Sequence, residues 1–423
     1  MHACGLDFGT SNTTLSLAGP EGVRALLLEP GHHPPQTRPT LLYFGNDKRE
    51  YHGTPAIDAY VAQEMDGRLV QSIKRYLPSK TFTTTFVHGR AMDLSELIAG
   101  FLESLRVQAS EEAGEEVEAV LMGRPAVFHD DPERDALAER RLEIAASMAG
   151  FQDIAFQYEP IAAARAFEAS LDAEVLCLVG DLGGGTTDFT LMRLGPDKVG
   201  RQDRREDVLG SSGVNVAGND LDAALVQLVV WPRMGHGARW SPLLKPVPIP
   251  NHLHLALCNW HSLSFANTPD TLETLESWMR SADDKVGLER LHTLLVENLG
   301  FQLFQAVERC KIELSKGPEG ILSFRAPGFV LEEPVLRRDF DAAIDPLLGK
   351  MGACLDKLLQ DCDVTPDQVG AVFLTGGTSL VPAVRGIFEQ RFPGRLLERD
   401  AFTSVGHGLG VEAGERFLTP ERS

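Results

Sequence analysis

Apolar residues along this chain switch between a period of two and a period of three to four, and each switch marks an element. Ala3 to Phe8 is a short apolar run that enters GTSNTTLSLA, which reads as strand, Gly/Ser/Thr turn, strand. Glu21 to Glu29 supplies a third strand, residues 30–40 a proline-rich connection, and Leu41 to Phe44 another strand. Helical spacing follows in Ala56 to Met65 and in Leu69 to Leu77. Leu94 to Ala113 carries an amphipathic stripe at 94, 97, 98, 101, 102 and 105. Next come a strand over Val117 to Gly123 and an alanine-rich helix over Asp131 to Ala149. A strand over Phe151 to Glu159 stops at Pro160, and a helix covers Ala162 to Ala169.

The opening pattern then recurs. Glu174 to Gly180 is an apolar strand, DLGGGTTD a glycine turn and FTLMRLG a second strand. Setting LDFGTSNTTLSL beside GDLGGGTTDFTL aligns Asp7 with Asp181, 174 residues later. Two similar lobes, each led by a phosphate-type hairpin, is the economical reading. Lobe one is 1–173 with a closing Gly/Ala-rich helix at 401–416; lobe two is 174–400. Within lobe two, 214–230 reads as helix. Residues 231–290 read as an insertion of loops and short helices, with WPRMGHGARW, LLKPVPIP and tryptophans at 231, 240, 260 and 278. Glu289 to Leu314 is a helix or a helix pair, 321–336 two strands, and Arg338 to Leu359 a helix. Gln368 to Thr375 is a strand that runs into GGTS, and Pro382 to Phe392 a helix.

Composition narrows the class. The chain has 423 residues with 43% apolar and 24% charged positions, which excludes a disordered or fibrous protein. The net charge of -20 disfavours nucleic acid and anionic membrane as partners, though it leaves room for one small basic pocket. Six cysteines without a C-x-x-C spacing do not form a disulfide framework. No signal peptide and no long uncharged apolar run is visible, so the expected address is cytoplasmic.

The chemistry gathers at the glycine turns. A phosphate chain needs backbone N–H groups pointing into a concavity, and such turns supply them. Asp7 and Asp181 stand at the turn entrances, where two carboxylates suit a magnesium ion that keeps most of its waters. Thr10, Ser11, Asn12, Thr13, Thr186 and Thr187 add hydroxyl or amide contacts to phosphate. The alternative is a pair of tight hairpins with capping aspartates. Neither GxxxxGK[ST] nor a strand-to-helix GxGxxG is present. Gly376 and Gly377 in TGGTS form a third glycine element between a strand and a helix, which favours an anion or a flat polar ligand. Glu159 either positions water or a hydrated metal, or is only a helix N-terminal acid. Lys74, in SIKRYL beside Arg75, either meets a phosphoryl group or is a solvated lysine. Glu308, Lys311 and Ser315 share one helix face that meets a nucleoside or only solvent. His252, His254, Cys258 and His261 have zinc-compatible types in a spacing that matches no usual zinc site.

As a set these segments resemble the actin-like ATPase superfamily, specifically the nucleotide-binding domain of the DnaK-type heat-shock chaperones. The short YegD-like branch is the nearest in pattern. LDFGTSNT (6–13) and GDLGGGTTDF (180–189) resemble the two phosphate motifs, and YEPIAAARAF (158–167) the connecting motif. SIKRYL (72–77) resembles the segment of the catalytic lysine, and VAGNDLD (216–222) the glycine-aspartate segment. VERCKIELS (307–315) and LTGGTSLVPAVR (374–385) resemble the adenosine-binding segments. The resemblance implies a two-lobed α/β fold, a mixed sheet in each lobe, and ATP with magnesium in the cleft. It implies that Asp7 and Asp181 organise the metal and its waters, that Glu159 orients the site, and that Lys74 positions the attacking water. Phosphates would rest on Gly9, Thr10, Ser11, Asn12, Gly183, Gly184, Gly185, Thr186 and Thr187. Glu308 and Lys311 would contact ribose, with Gly218, Ser315, Gly376, Gly377 and Thr378 on the nucleoside side.

Two departures stand out. The arginines that flank adenine in the chaperones are replaced by Ile312 and Leu380, which implies a base held between aliphatic side chains. After Arg416 only FLTPERS follows, so no C-terminal peptide-binding domain is expected. The resulting expectation is a slow ATPase switch of the chaperone type that acts through a protein partner, with 231–290 as the candidate partner surface. A non-hydrolysing scaffold, a filament former and a small-molecule kinase of the same fold are the alternatives.

Overall fold

The structure is a computed structural model, described here for residues 1–30, 34–63, 66–201, 203–241, 245–259, 263, 266–397 and 402–418. Each glycine hairpin leads a sheet. The first sheet contains β1 (Ala3–Phe8), β2 (Asn12–Gly19), β3 (Gly22–Ala25), β4 (Thr37–Pro39), β5 (Ala119–Arg124) and β6 (Asp153–Tyr158). Its order is β6-β5-β1-β2-β3, with β4 also on β2. The second contains β7 (Val175–Leu182), β8 (Thr187–Leu194), β9 (Val208–Val214), β10 (Ala371–Thr375) and β11 (Leu396–Leu397), in the order β9-β8-β7-β10-β11.

The two orders are the same. In each sheet the hairpin strands and the third strand are antiparallel, and two parallel strands extend the other side. The register places Asp7 opposite Thr14 and Asp181 opposite Asp188. The repeat seen in the two hairpin sequences is therefore a repeat of whole sheets.

Two helices, Glu159–Glu168 and Ser404–Ala413, share one core with both sheets. It joins Ala3, Leu121 and Ala155 to Val179, Met192 and Phe373 through Ile161, Ala162, Ala164, Leu409 and Ala413. Small residues let the two helix backbones approach: a Cβ on Gly408 would lie 2.0 Å from the Ala162 carbonyl oxygen. On the other face of the first sheet, Phe8, Leu15 and Leu17 pack with the helices Leu94–Ala113 and Pro132–Met148. Asp93 and Glu96 cap the first of these helices reciprocally.

Contacts divide the chain into two compact units. One is Met1–Asn215 with Gly352–Ser379 and Gly386–Ser423, which holds both sheets. The other is Val216–Met351 with Leu380–Arg385. In the second unit, Glu289 to Leu314 resolves as a pair, Lys285–Val296 and Gly300–Lys316, followed by the hairpin Glu319–Ala326/Phe329–Leu336. Residues 231–290 carry a two-residue strand pair (Arg239–Trp240 with Val247–Pro248) and the helices His252–Ala256 and Pro269–Met279.

Three expectations need correction. Leu69 to Leu77 is not helical: Arg68–Gln71 pairs with Leu41–Phe44, and a 3₁₀ turn covers Ile73–Tyr76. Ser72 breaks the spacing, with φ at +52°, a value no helix interior takes. The helix after Pro160 starts at Glu159 itself, because proline is suited to a first turn where its missing N–H has no partner to lose. The stretch 214–230 ends a strand at Val214, forms the helix Gly218–Leu225 and finishes in a π turn, Val226–Val230.

Candidate functional site

Glycine at the turns is dictated by crowding. A Cβ on Gly9 would lie 2.2 Å from the Asn12 carbonyl oxygen. Thr40 braces this first turn: its hydroxyl donates to Gly9 O at 2.9 Å and its N–H to Ser11 O at 2.8 Å. In the second turn the Gly183 N–H donates to Thr186 O at 3.1 Å. The third glycine element is tied to it, since the Thr378 hydroxyl donates to Gly183 O at 2.8 Å. Gly376 has φ at +80°, and a Cβ there would meet Leu182 O at 2.2 Å, so only glycine fits. Gly377 leaves room for the Phe402 ring.

Four charged side chains meet at these strand ends. Asp7 lies near the end of β1, Asp181 near the end of β7, Glu159 at a helix start and Lys74 in the Ile73–Tyr76 turn. The Lys74 Nζ donates to Glu159 Oε1 at 2.6 Å, and both side chains are buried. The Thr375 hydroxyl donates to Asp181 Oδ1 at 3.1 Å. Burial, then the charge of Glu159, push Asp7 up to about 8, with Lys74 opposing and Asp181 adding. Burial, Glu159 and Asp188 push Asp181 up to about 7 against Lys74 and Thr375. Asp188 is raised too, by burial first. Burial acts to lower Lys74, but Glu159, Asp7 and Asp181 outweigh it and the net shift is upward. Lys74 is thus a fixed cation, and the aspartates around it are carboxylates short of positive charge.

This arrangement sets a pH dependence. Because Asp7 and Asp181 are raised from 3.8 to about 8 and about 7, the folded chain keeps protons that the unfolded chain releases. Their stabilising contribution is full below the unfolded value and is lost as pH rises through the folded values. We expect the ligand-free Tm to fall between pH 5 and pH 8, and the fall to be smaller with a divalent cation present. A Tm that rises over that interval would contradict the arrangement.

Several expected residues lie on the second unit. Lys311 Nζ is 2.8 Å from Asp222, whose own pKa burial raises against the pull of Lys311. Ser315 donates to its own helix at Lys311 O. Glu308 is exposed on the same helix, Gly218 is buried at the start of its own, and Ile312 and Leu380 are 40% and 54% exposed. Thr10, Ser11, Asn12, Gly184, Gly185 and Thr186 remain accessible on their turns, while Thr187 is buried in β8.

The histidine-rich segment behaves as packing. His254 Nε2 donates to Met234 O at 2.9 Å and its ring meets those of Trp231 and His236 edge-on. His261 is outside the described residues, as are His32 and His33. Among the described residues no group of three or more His, Cys, Asp or Glu is arranged to hold a metal, and no helix is long and apolar enough to cross a membrane.

Sequence reasoning missed Asp188, Thr375, Thr40 and Asp222. Asp188 was accessible by spacing, since Asp181 and Asp188 are as far apart as the paired Asp7 and Thr14. The other three depend on partners distant in sequence.

The Hsp70 protein family model matches residues 51–231 and 297–407. Chaperone protein DnaK of Thermus thermophilus is 25% identical over 445 residues, covering 98% of this chain and 61% of that protein. DnaK of Elusimicrobium minutum is 27% identical over 423 residues, covering 97% and 57%. Chaperone protein dnaK1 of Synechocystis sp. is 24% identical over 443 residues, covering 97% and 54%. The chain spans about three-fifths of the length of the curated relatives it matches. Two sheets of one order, glycine hairpins at their strand ends and a family match over more than half the length lead to one conclusion: this chain belongs to the Hsp70 family and has its actin-like ATPase fold.

Proposed function

We propose that this chain is an ATP-binding, magnesium-dependent ATPase of the heat-shock chaperone type, a nucleotide-driven switch that acts through protein partners. The observation that carries the reading is the Lys74–Glu159 pair buried beside Asp7 and Asp181 at the mouths of two glycine turns. The donor set fits magnesium: two anionic oxygen donors, pushed toward protonation by burial and by Glu159, gain most from a hydrated divalent cation. Asp7 and Asp181 would hold it, mainly through water, and the ion would offset charge on the phosphate chain.

The chain's own groups do the rest. Backbone N–H groups and hydroxyls of Gly9–Asn12 and Gly183–Thr187 receive phosphate oxygens. Lys74, kept protonated and held in place by Glu159, presents a donor that positions the attacking water against the terminal phosphate. Thr375 orients Asp181. On the second unit Glu308 and Lys311 would take the ribose, the latter steadied by Asp222. Ile312 and Leu380, both exposed, would flank the base. Residues 231–290 are the partner surface in this reading; Val247, Leu255 and Val286 are exposed there.

Calorimetric titration with ATP and magnesium tests the reading, and saturable binding that EDTA weakens is the expected result. Absence of ATP binding would end it. Ile312→Asp and Leu380→Asp should each weaken ATP about tenfold, as loss of an apolar contact of about 1–3 kcal/mol implies. Unchanged affinity in both would remove the aliphatic sandwich.

A further inference from the structure

One cation near the site has no part in the reading above. Arg75 follows Lys74 in the Ile73–Tyr76 turn and is exposed. Among the described residues no hydrogen bond or ion pair holds its guanidinium. Arg140, Arg280, Arg309 and Arg325 are free in the same way, so what sets Arg75 apart is its place beside the second glycine turn.

The base of this side chain is rigid. Arg141 Nη1 donates to the carbonyls of Leu77 at 2.7 Å and Ser79 at 2.8 Å, and Arg134 Nε to that of Pro78 at 2.9 Å. Lys74 anchors the other side through Glu159. From this base Arg75 reaches the second glycine turn: its Nη1 lies 3.7 Å, and its Cζ 4.0 Å, from the position a Cβ would take on Gly185. A free guanidinium therefore stands over a turn whose glycines leave the backbone open to an anion. Guanidinium is always charged and offers paired donors that match two phosphate oxygens at once.

We infer that Arg75 is a catalytic residue that grips the terminal phosphoryl group on the 183–186 turn and retains the phosphate product. This rests on the ATPase reading. In that reaction water oxygen bonds to the terminal phosphorus, the bond to the bridging oxygen breaks, and ADP leaves with the electron pair. One proton is released, and Arg75 keeps its own throughout, offsetting the phosphate charge before and after transfer.

The test uses the full chain with magnesium, and compares wild type, Arg75→Ala and Arg75→Lys. Affinities are measured for ATP, for ADP, and for inorganic phosphate added to the ADP form. Arg75→Ala should weaken ATP at least tenfold, leave ADP within twofold, and lose phosphate binding to the ADP form. Arg75→Lys should fall between, since it keeps the charge but not the fork. Equal effects on ATP and ADP, or none, would overturn the inference while leaving the ATPase reading intact. Wild type that binds neither nucleotide would overturn both.

Discussion

Gly408→Ala is expected to destabilise the chain by about 3 kcal/mol or more, although Gly→Ala inside a helix normally stabilises by about 1 kcal/mol. The reversal comes from backbone contact. The new Cβ would sit 2.0 Å from the Ala162 carbonyl oxygen and 2.7 Å from its carbon, and neither can rotate away. The neighbouring glycines are pressed in the same way, Gly406 by Thr14 and Gly410 by Ser16 and Val23. A Cβ on Gly5 of β1 would likewise meet the Gly410 nitrogen at 2.0 Å. The Ser404–Ala413 helix is therefore wedged against both the first sheet and the Glu159 helix, with no slack to absorb a methyl group. Gly349→Ala is the matched control. It lies in the Arg337–Asp361 helix with nothing within 4 Å of its Cβ position, and should gain about 0.5–1 kcal/mol. Urea unfolding midpoints of the two variants give the comparison. Equal shifts would contradict the packing described. Because Ala162 lies one turn from Glu159, the damaged variant should also lose whatever activity the site supports.

Asp181→Asn should separate stability from activity. Loss of this carboxylate removes one of the two proposed cation ligands, and phosphate release should fall at least about a hundredfold, the scale seen when one electrostatic stabiliser is removed. The same change should raise the ligand-free Tm at pH 8. There Asp181, at about 7, is mostly ionised in a buried setting beside Glu159 and Asp188. Asparagine has the same shape and still accepts the Thr375 hydroxyl, but carries no charge to bury or repel. At pH 5 the folded carboxyl is already protonated while the unfolded one is ionised, so the gain should be smaller than at pH 8, and it should vanish only below the unfolded value of 3.8. A Tm lowered at pH 8 would show that Asp181 supports the fold and would remove the argument that its charge is held for a ligand.

The hairpins were legible because their signal is local. Asp, glycine turn and Thr occur within a dozen residues, and a tight turn needs those residues wherever it stands. The equal order of the two sheets was not legible. Val208–Val214 reads VLGSSGV, with no alternation to mark a strand, and it forms by pairing with β8. Leu69 to Leu77 misled because apolar residues at 69, 70, 73 and 77 imitate a helix face, while the backbone break at Ser72 leaves no trace in hydropathy. At the site, Asp7 and Asp181 could be picked out from their turns. Lys74 and Glu159 looked like an ordinary lysine and an ordinary helix-capping acid until the fold joined them at 2.6 Å. Thr375 and Arg75 lie against residues far along the chain, Asp181 and Gly185, and no spacing rule connects them.

The cluster around Lys74 is proposed to hydrolyse ATP. The most direct test is phosphate release from ATP by the purified chain, with magnesium and with excess EDTA, against Asp181→Asn prepared in the same way. A slow release that requires magnesium and is abolished by the substitution is the expected result. A wild-type rate equal to that of Asp181→Asn, or one untouched by EDTA, would contradict it.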